Sequence, residues 1–155
     1  MKIQFILFTC KFAAGCKSPT TEEQINETTM VVVKAITEND HETFRSLIGV
    51  EDNILAKDTG MLRARVQRMS ETIRQYAPGS QPEIEITDQY AEYTGSRMVI
   101  VHFPKKPEAH VKAIDLKLEF GPPRFVKLDK IVSFGFDVKK DDAGMPPVMM
   151  PQRIN

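Results

Sequence analysis

The chain has 155 residues, which is one domain's worth. A chain of that size buries about two thirds of its unfolded surface, so it needs no disulfide staples. Its 21 basic and 21 acidic residues cancel, which argues against nucleic acid or an anionic membrane patch as the main partner. Apolar residues at 41% and charged residues at 27% fit an ordinary globular domain.

The N-terminus is different in kind. Lys2 precedes a short apolar run from Ile3 to Phe8, broken only by Gln4. Thr9, Cys10 and Lys11 interrupt the run, and Phe12, Ala13, Ala14, Gly15 and Cys16 follow. Small residues before a cleavage point let a chain enter a peptidase groove in extended form. Ala14 and Gly15 before Cys16 resemble the lipobox of bacterial lipoproteins, although Ala13 stands where that family usually has leucine. The resemblance implies that Cys16 becomes the first mature residue, with diacylglycerol on its sulfur, and that the protein meets a membrane through this lipid. Lys17, where inner-membrane retention often has aspartate, leans the resemblance towards the outer membrane. Two other readings stay open: a cleaved signal without lipid, giving a secreted protein, and an N-terminal strand or short helix of a cytosolic domain. The run is too short to span a bilayer, which takes about 20 apolar residues.

On the lipoprotein reading, residues 1–15 are the signal, 16–22 a tether, 23–138 a single domain and 139–155 a flexible tail. Cys10 leaves with the signal, so no disulfide framework or cysteine-based zinc site remains. Lys2 and Lys11 leave too, giving 19 basic against 21 acidic residues and a net charge of −2.

The first helix is predicted to start near Thr20 or Thr21, where Thr20 and Glu23 have capping-box spacing. Ile25, Val32 and Ile36 share a face, while Met30, Val31, Val33 and Ala35 extend apolar surface around the later turns. A helix greasy on most sides should be buried. Asn39 with Glu42 offers a second capping box for a short helix from His41 to Ile48, closed by a left-handed Gly49. Asn26, Glu27 and Thr28 form a glycosylation sequon that is inert outside a eukaryotic secretory pathway. Residues 50–58 read as loop. Asp58 or Thr59 caps a third helix reaching Tyr76, in which Leu62, Val66, Met69, Ile73 and Tyr76 form one core-facing stripe. Arg63, Arg65, Arg68 and Arg74 lie outside it and read as a solvated face or an anion-binding rim.

From Gln81 the period changes to two. Strands are predicted at 82–87, at 90–103 with a turn or bulge near Gly95, at 109–120, and at 125–138 with a bulge at Asp129 and Lys130. Ile114, Leu116, Leu118 and Phe120 face one way, and Val132, Phe134, Phe136 and Val138 do so in the last strand. One apolar face per strand means one packed side and one wetter side. The tail carries Pro146, Pro147 and Pro151 beside Met145, Met149 and Met150 without periodicity.

Helices followed by an antiparallel meander define an α+β class: N-terminal helices packed on a sheet of about four strands. The stretch VVVKAITENDHETFRSLIG, then another helix and a sheet, resembles the nuclear transport factor two-like and cystatin-like group. That resemblance implies a curved, cone-like sheet and a pocket between helices and sheet that holds a small ligand. It also implies that homodimerisation through the sheet face is an option, and that some members are enzymes with an acid–tyrosine or acid–histidine pair.

Tyr76, Tyr90 and Tyr93 are the candidate pocket residues, with Asp88 or Asp115 as an acidic partner. Asp115 falls between Ile114 and Leu116 on the polar side of its strand, which predicts solvent exposure. His102 and His110 flank the turn at 104–107 and would approach each other, near Glu108, if the hairpin were symmetric about it. A metal would need a third ligand that the sequence does not supply, so no metal, cofactor or catalytic residue is assigned. The expectation is a lipid-anchored, non-enzymatic binding or accessory module for a small apolar ligand or an envelope protein. The alternative is a small enzyme with an acid–tyrosine pocket.

Overall fold

The computed structural model describes residues 20–49, 58–87, 95–121 and 128–141. Cys16, Asp88, Tyr90, Tyr93, the predicted signal and nearly all of the predicted tail lie outside the described residues. Among the described residues three helices, α1 (Thr21–Thr37), α2 (His41–Ser46) and α3 (Thr59–Tyr76), precede four strands. The strands are β1 (Glu83–Thr87), β2 (Arg97–His102), β3 (Val111–Phe120) and β4 (Ser133–Lys140), in one antiparallel sheet of order β1-β2-β3-β4. The class is α+β, helices packed with a four-stranded sheet, as the sequence predicts. The described elements run from Thr21, where the first helix is predicted to start, to Lys140.

The capping box at α1 forms as the spacing predicts. Glu23 N–H donates to Thr20 Oγ1 at 3.2 Å, and Thr20 N–H donates to Glu23 Oε2 at 2.7 Å. Ile25, Val32, Val33, Ala35 and Ile36 enter the core. The expectation that α1 is buried on most sides fails at Met30 and Val31, which are 51% and 44% exposed. At 100° per residue they fall on the far side from Ile25, Val32 and Ile36, and no described element packs there. Two threonines share the buried face. Thr28 Oγ1 donates to the Leu128 carbonyl at 2.9 Å, pinning the helix to the approach of β4, whereas Thr29 Oγ1 is buried without a partner among the described residues.

The break after α1 falls at Glu38, Asn39 and Asp40, but α2 is not capped by the predicted Asn39. Asn39 takes a left-handed φ of 59°, a conformation its short polar side chain tolerates. The cap therefore passes to Asp40, which accepts from Thr43 N–H at 3.0 Å and Thr43 Oγ1 at 2.6 Å. These bonds hold the Asp40 carboxyl below its ordinary value. Gly49 is not a left-handed cap. Its N–H donates to the Ile131 carbonyl at 2.8 Å, and Ile131 N–H donates to Leu47 O at 2.8 Å, a parallel bridge tying the end of α2 to the lead-in of β4.

In α3, Asp58 caps by accepting from Met61 N–H at 2.9 Å. Leu62, Val66, Met69 and Ile73 are buried and Tyr76 half-buried, so the predicted stripe holds. Each such side chain contributes about 1.5–3 kcal/mol on leaving water.

Among the described residues each strand starts later than predicted, β1 at Glu83, β2 at Arg97 after Gly95 at φ 68°, β3 at Val111, and β4 at Ser133 after a turn at 128–129 where a bulge was expected. The predicted strand residues 90–94 and 125–127 lie outside the described residues. Among the described residues the one register shift lies instead between Val111 and Ala113. Across the register, Val99 meets Leu118 and Val101 meets Leu116, while Phe134, Phe136 and Val138 meet Leu118, Leu116 and Ile114. This is the apolar face that carries the helices, and Phe44 of α2 closes on it.

Candidate functional site

Two places in the described structure concentrate chemistry. The first is a groove of about 440 Å³ between α3 and β4. Arg65, Arg68, Met69 and Thr72 form its helical wall, and Phe134, Gly135, Phe136 and Val138 its strand wall. Positions 65, 68 and 72 run along one side of a helix, beside the buried stripe. The stripe supplies Met69 to the floor and the neighbouring row supplies the arginines. β4 supplies the rest by alternation, since its inward residues at the sheet margin are only half covered.

The four arginines of α3 do not act together. Arg63 Nε donates to His41 Nε2 at 3.2 Å, and Arg74 lines a separate cleft with Val33 and Phe103. Only Arg65 and Arg68 share the groove, and among the described residues neither guanidinium has a hydrogen-bond or ion-pair partner. The result is an apolar floor under a positive rim.

The second place is the outer face of the sheet, where Glu85, His102, Asp115 and Lys139 cross all four strands. His102 Nδ1 lies 2.9 Å from Asp115 Oδ1, His102 Nε2 lies 3.4 Å from Glu85 Oε2, and Lys139 Nζ lies 3.2 Å from Asp115 Oδ2. Lys117 and Asp137 pair beside them at 2.7 Å. Asp115 is 4% exposed, which overturns its predicted position in solvent. It does sit on the polar side of its strand, but flanking side chains on β2 and β4 cover it. Burial alone pushes the Asp115 carboxyl up; the hydrogen bonds and charges of His102 and Lys139 outweigh burial and hold it below its ordinary 3.8. The hydrogen bond that Asp115 accepts raises the His102 imidazole above its ordinary 6.5, against some burial and with help from Glu85.

The predicted meeting of His102 and His110 does not occur. The register sets Asp115 opposite His102, and His110 lies in the connection before β3. Tyr76 does not reach Asp115 either. It packs against the core on the helical side, its carbonyl accepting from Lys106 N–H at 2.8 Å, while Asp115 is on the outer face. The hollow beside His102 and Asp115 is shallow, about 260 Å³, and edged by Glu83, Pro104, Lys105 and Lys112. An imidazole held between two carboxylates is well oriented, but here it lies on an open sheet face.

Among the described residues no group of three or more histidine, cysteine, aspartate or glutamate side chains could hold a metal ion. No described helix is long and apolar enough to cross a membrane. A scan against models of known families finds no match, and searches of curated proteins and of solved structures find none.

Proposed function

We propose that this protein is a lipid-anchored binding or accessory module of the bacterial cell envelope, with the α3–β4 groove as its binding site. The groove carries the reading: Met69, Phe134, Phe136 and Val138 give contact area, and Arg65 and Arg68 stand over them without partners among the described residues. Sites of this kind combine an apolar lining with a few placed polar groups. The lipobox-like Ala14, Gly15 and Cys16 support the anchor. The order of helices and strands supports kinship with the nuclear transport factor two-like and cystatin-like group, in which a cleft between helices and sheet holds ligands.

The enzymatic alternative has one observation in its favour, the buried Asp115 beside His102. Its open position and its link to Lys139 favour a role in holding the four strands together.

The binding reading is tested in cells by placing a photoreactive amino acid at Thr72, in the groove, or at exposed Glu27 on α1. Ultraviolet light should produce adducts at Thr72 several-fold above those at Glu27. Equal yields at the two positions, or none at Thr72, would overturn the assignment of the groove.

A further inference from the structure

We propose that the groove's occupant is an extended acidic peptide segment, added to the free edge of β4 as a fifth strand. This rests on the groove being the binding site. Four observations carry it further than a generic apolar ligand would.

The first is topological. β4 ends the sheet, and among the described residues no strand lies on its second side. Alternate residues of an edge strand direct both N–H and C=O away from their one neighbour, a template for another chain. The second is the placement of α3. Its Arg65, Arg68, Met69 and Thr72 share the groove with Phe134, Phe136 and Val138 of β4, so a strand added to β4 would have this helix over one face, as in domains that take peptides by strand addition. Its side chains would alternate between the apolar floor and the outer side.

Gly135 is the third. A Cβ there would meet nothing closer than Lys117 Cβ at 4.0 Å, so packing within the sheet does not require glycine. A strand glycine that packing does not demand suits close approach by another backbone. The fourth is charge. Arg65 and Arg68 line the groove, and Lys140, next to the Lys139 that pairs with Asp115, closes β4. Lysines on an edge repel like strands and admit acidic ones.

The test is an amide NMR titration of the folded protein with defined probes. They are a short capped peptide of alternating valine and glutamate, the same peptide N-methylated at every second amide, a lysine-for-glutamate version, and dodecanoate. The glutamate peptide should shift amides of 133–140 and of α3 around Arg65, and should slow hydrogen exchange of the edge-facing β4 amides. N-methylation on the edge-facing side and lysine replacement should each weaken binding about tenfold or more, because one removes the backbone ladder and the other reverses the charge. Arg65→Glu with Arg68→Glu, both on exposed positions, should weaken the glutamate peptide similarly while the spectrum stays that of the folded protein.

Equal binding by the N-methylated and the unmethylated glutamate peptide would overturn strand addition and leave the groove as a charged apolar site. Binding of dodecanoate without the peptide would do the same and make the occupant a small amphiphile. Failure of every probe to move the groove's resonances would sink both this proposal and the binding reading beneath it.

Discussion

Replacing Phe44 with alanine should lower the unfolding free energy by about 3–5 kcal/mol, the usual cost of deleting a buried phenyl ring. A domain of this kind has about 5–15 kcal/mol in all, so the loss is a large part of its stability. Phe44 is fully buried and is the one buried residue of α2, a helix too short to persist alone. Asp40 sets the start of that helix, and the Ile48–Ile131 bridge ties its far end. Between those two points the ring is what seats it. The ring also meets Phe134 edge-on, with centroids 4.9 Å apart and planes at 86°. Phe134 is a wall of the groove, so the truncation should loosen the binding site as well as the core. Phe44→Leu keeps more of the volume and should lose less than half as much. Urea denaturation of the three proteins checks this; a loss below about 1 kcal/mol for Phe44→Ala would mean that α2 is not seated as described.

Asp115→Asn should cost about 1–3 kcal/mol near pH 6, less than a fully enclosed pair would, because His102 and Lys139 are partly exposed and regain water. The change in pH dependence is the more specific result. His102 has a raised pKa in the folded protein, so its contribution is complete below 6.5 and is lost as pH rises through the folded value. Asp115 has a lowered pKa, so its contribution is present above 3.8 and is lost as pH falls through the folded value. The wild type should therefore be most stable between these limits and weaken on the alkaline side. In Asp115→Asn the alkaline decline should shrink, because the main cause of the His102 shift is gone. His102→Gln should flatten it too. Denaturation midpoints from about pH 5 to 9 measure this. A wild-type profile in Asp115→Asn would mean that the two side chains are not coupled.

Local chemistry was legible in the sequence where one residue decides it. The Thr20–Glu23 box, the Asp58 cap and the stripe from Leu62 to Ile73 follow from spacing alone. So does the inward face of β3, because alternation fixes which side chains point together. Asn39 and Asp40 are both good helix-capping residues, and their division of labour turns on which one adopts the left-handed conformation. Gly49 looked like a helix terminator because the partner of its N–H, Ile131, is far along the chain.

Asp115 shows the limit most clearly. Alternation names its face correctly but says nothing about how crowded that face is. Its burial comes from His102 and Lys139, which the register of two separate strand pairs brings beside it. The groove is similar. Arg65, Arg68 and Thr72 lie in a row next to the buried stripe, and Phe134, Phe136 and Val138 alternate. Neither pattern tells that α3 lies beside β4, or that β4 ends the sheet.

The proposed role needs a folded body held at a membrane surface by one thioether, presenting its groove to whatever shares that surface. Metabolic labelling with a clickable fatty acid, followed by membrane fractionation, tests this directly in wild type and Cys16→Ala. The wild type should carry the label and sediment with membranes, and Cys16→Ala should do neither. Recovery of unlabelled wild type from the cytosol, with its initiator methionine intact, would contradict it.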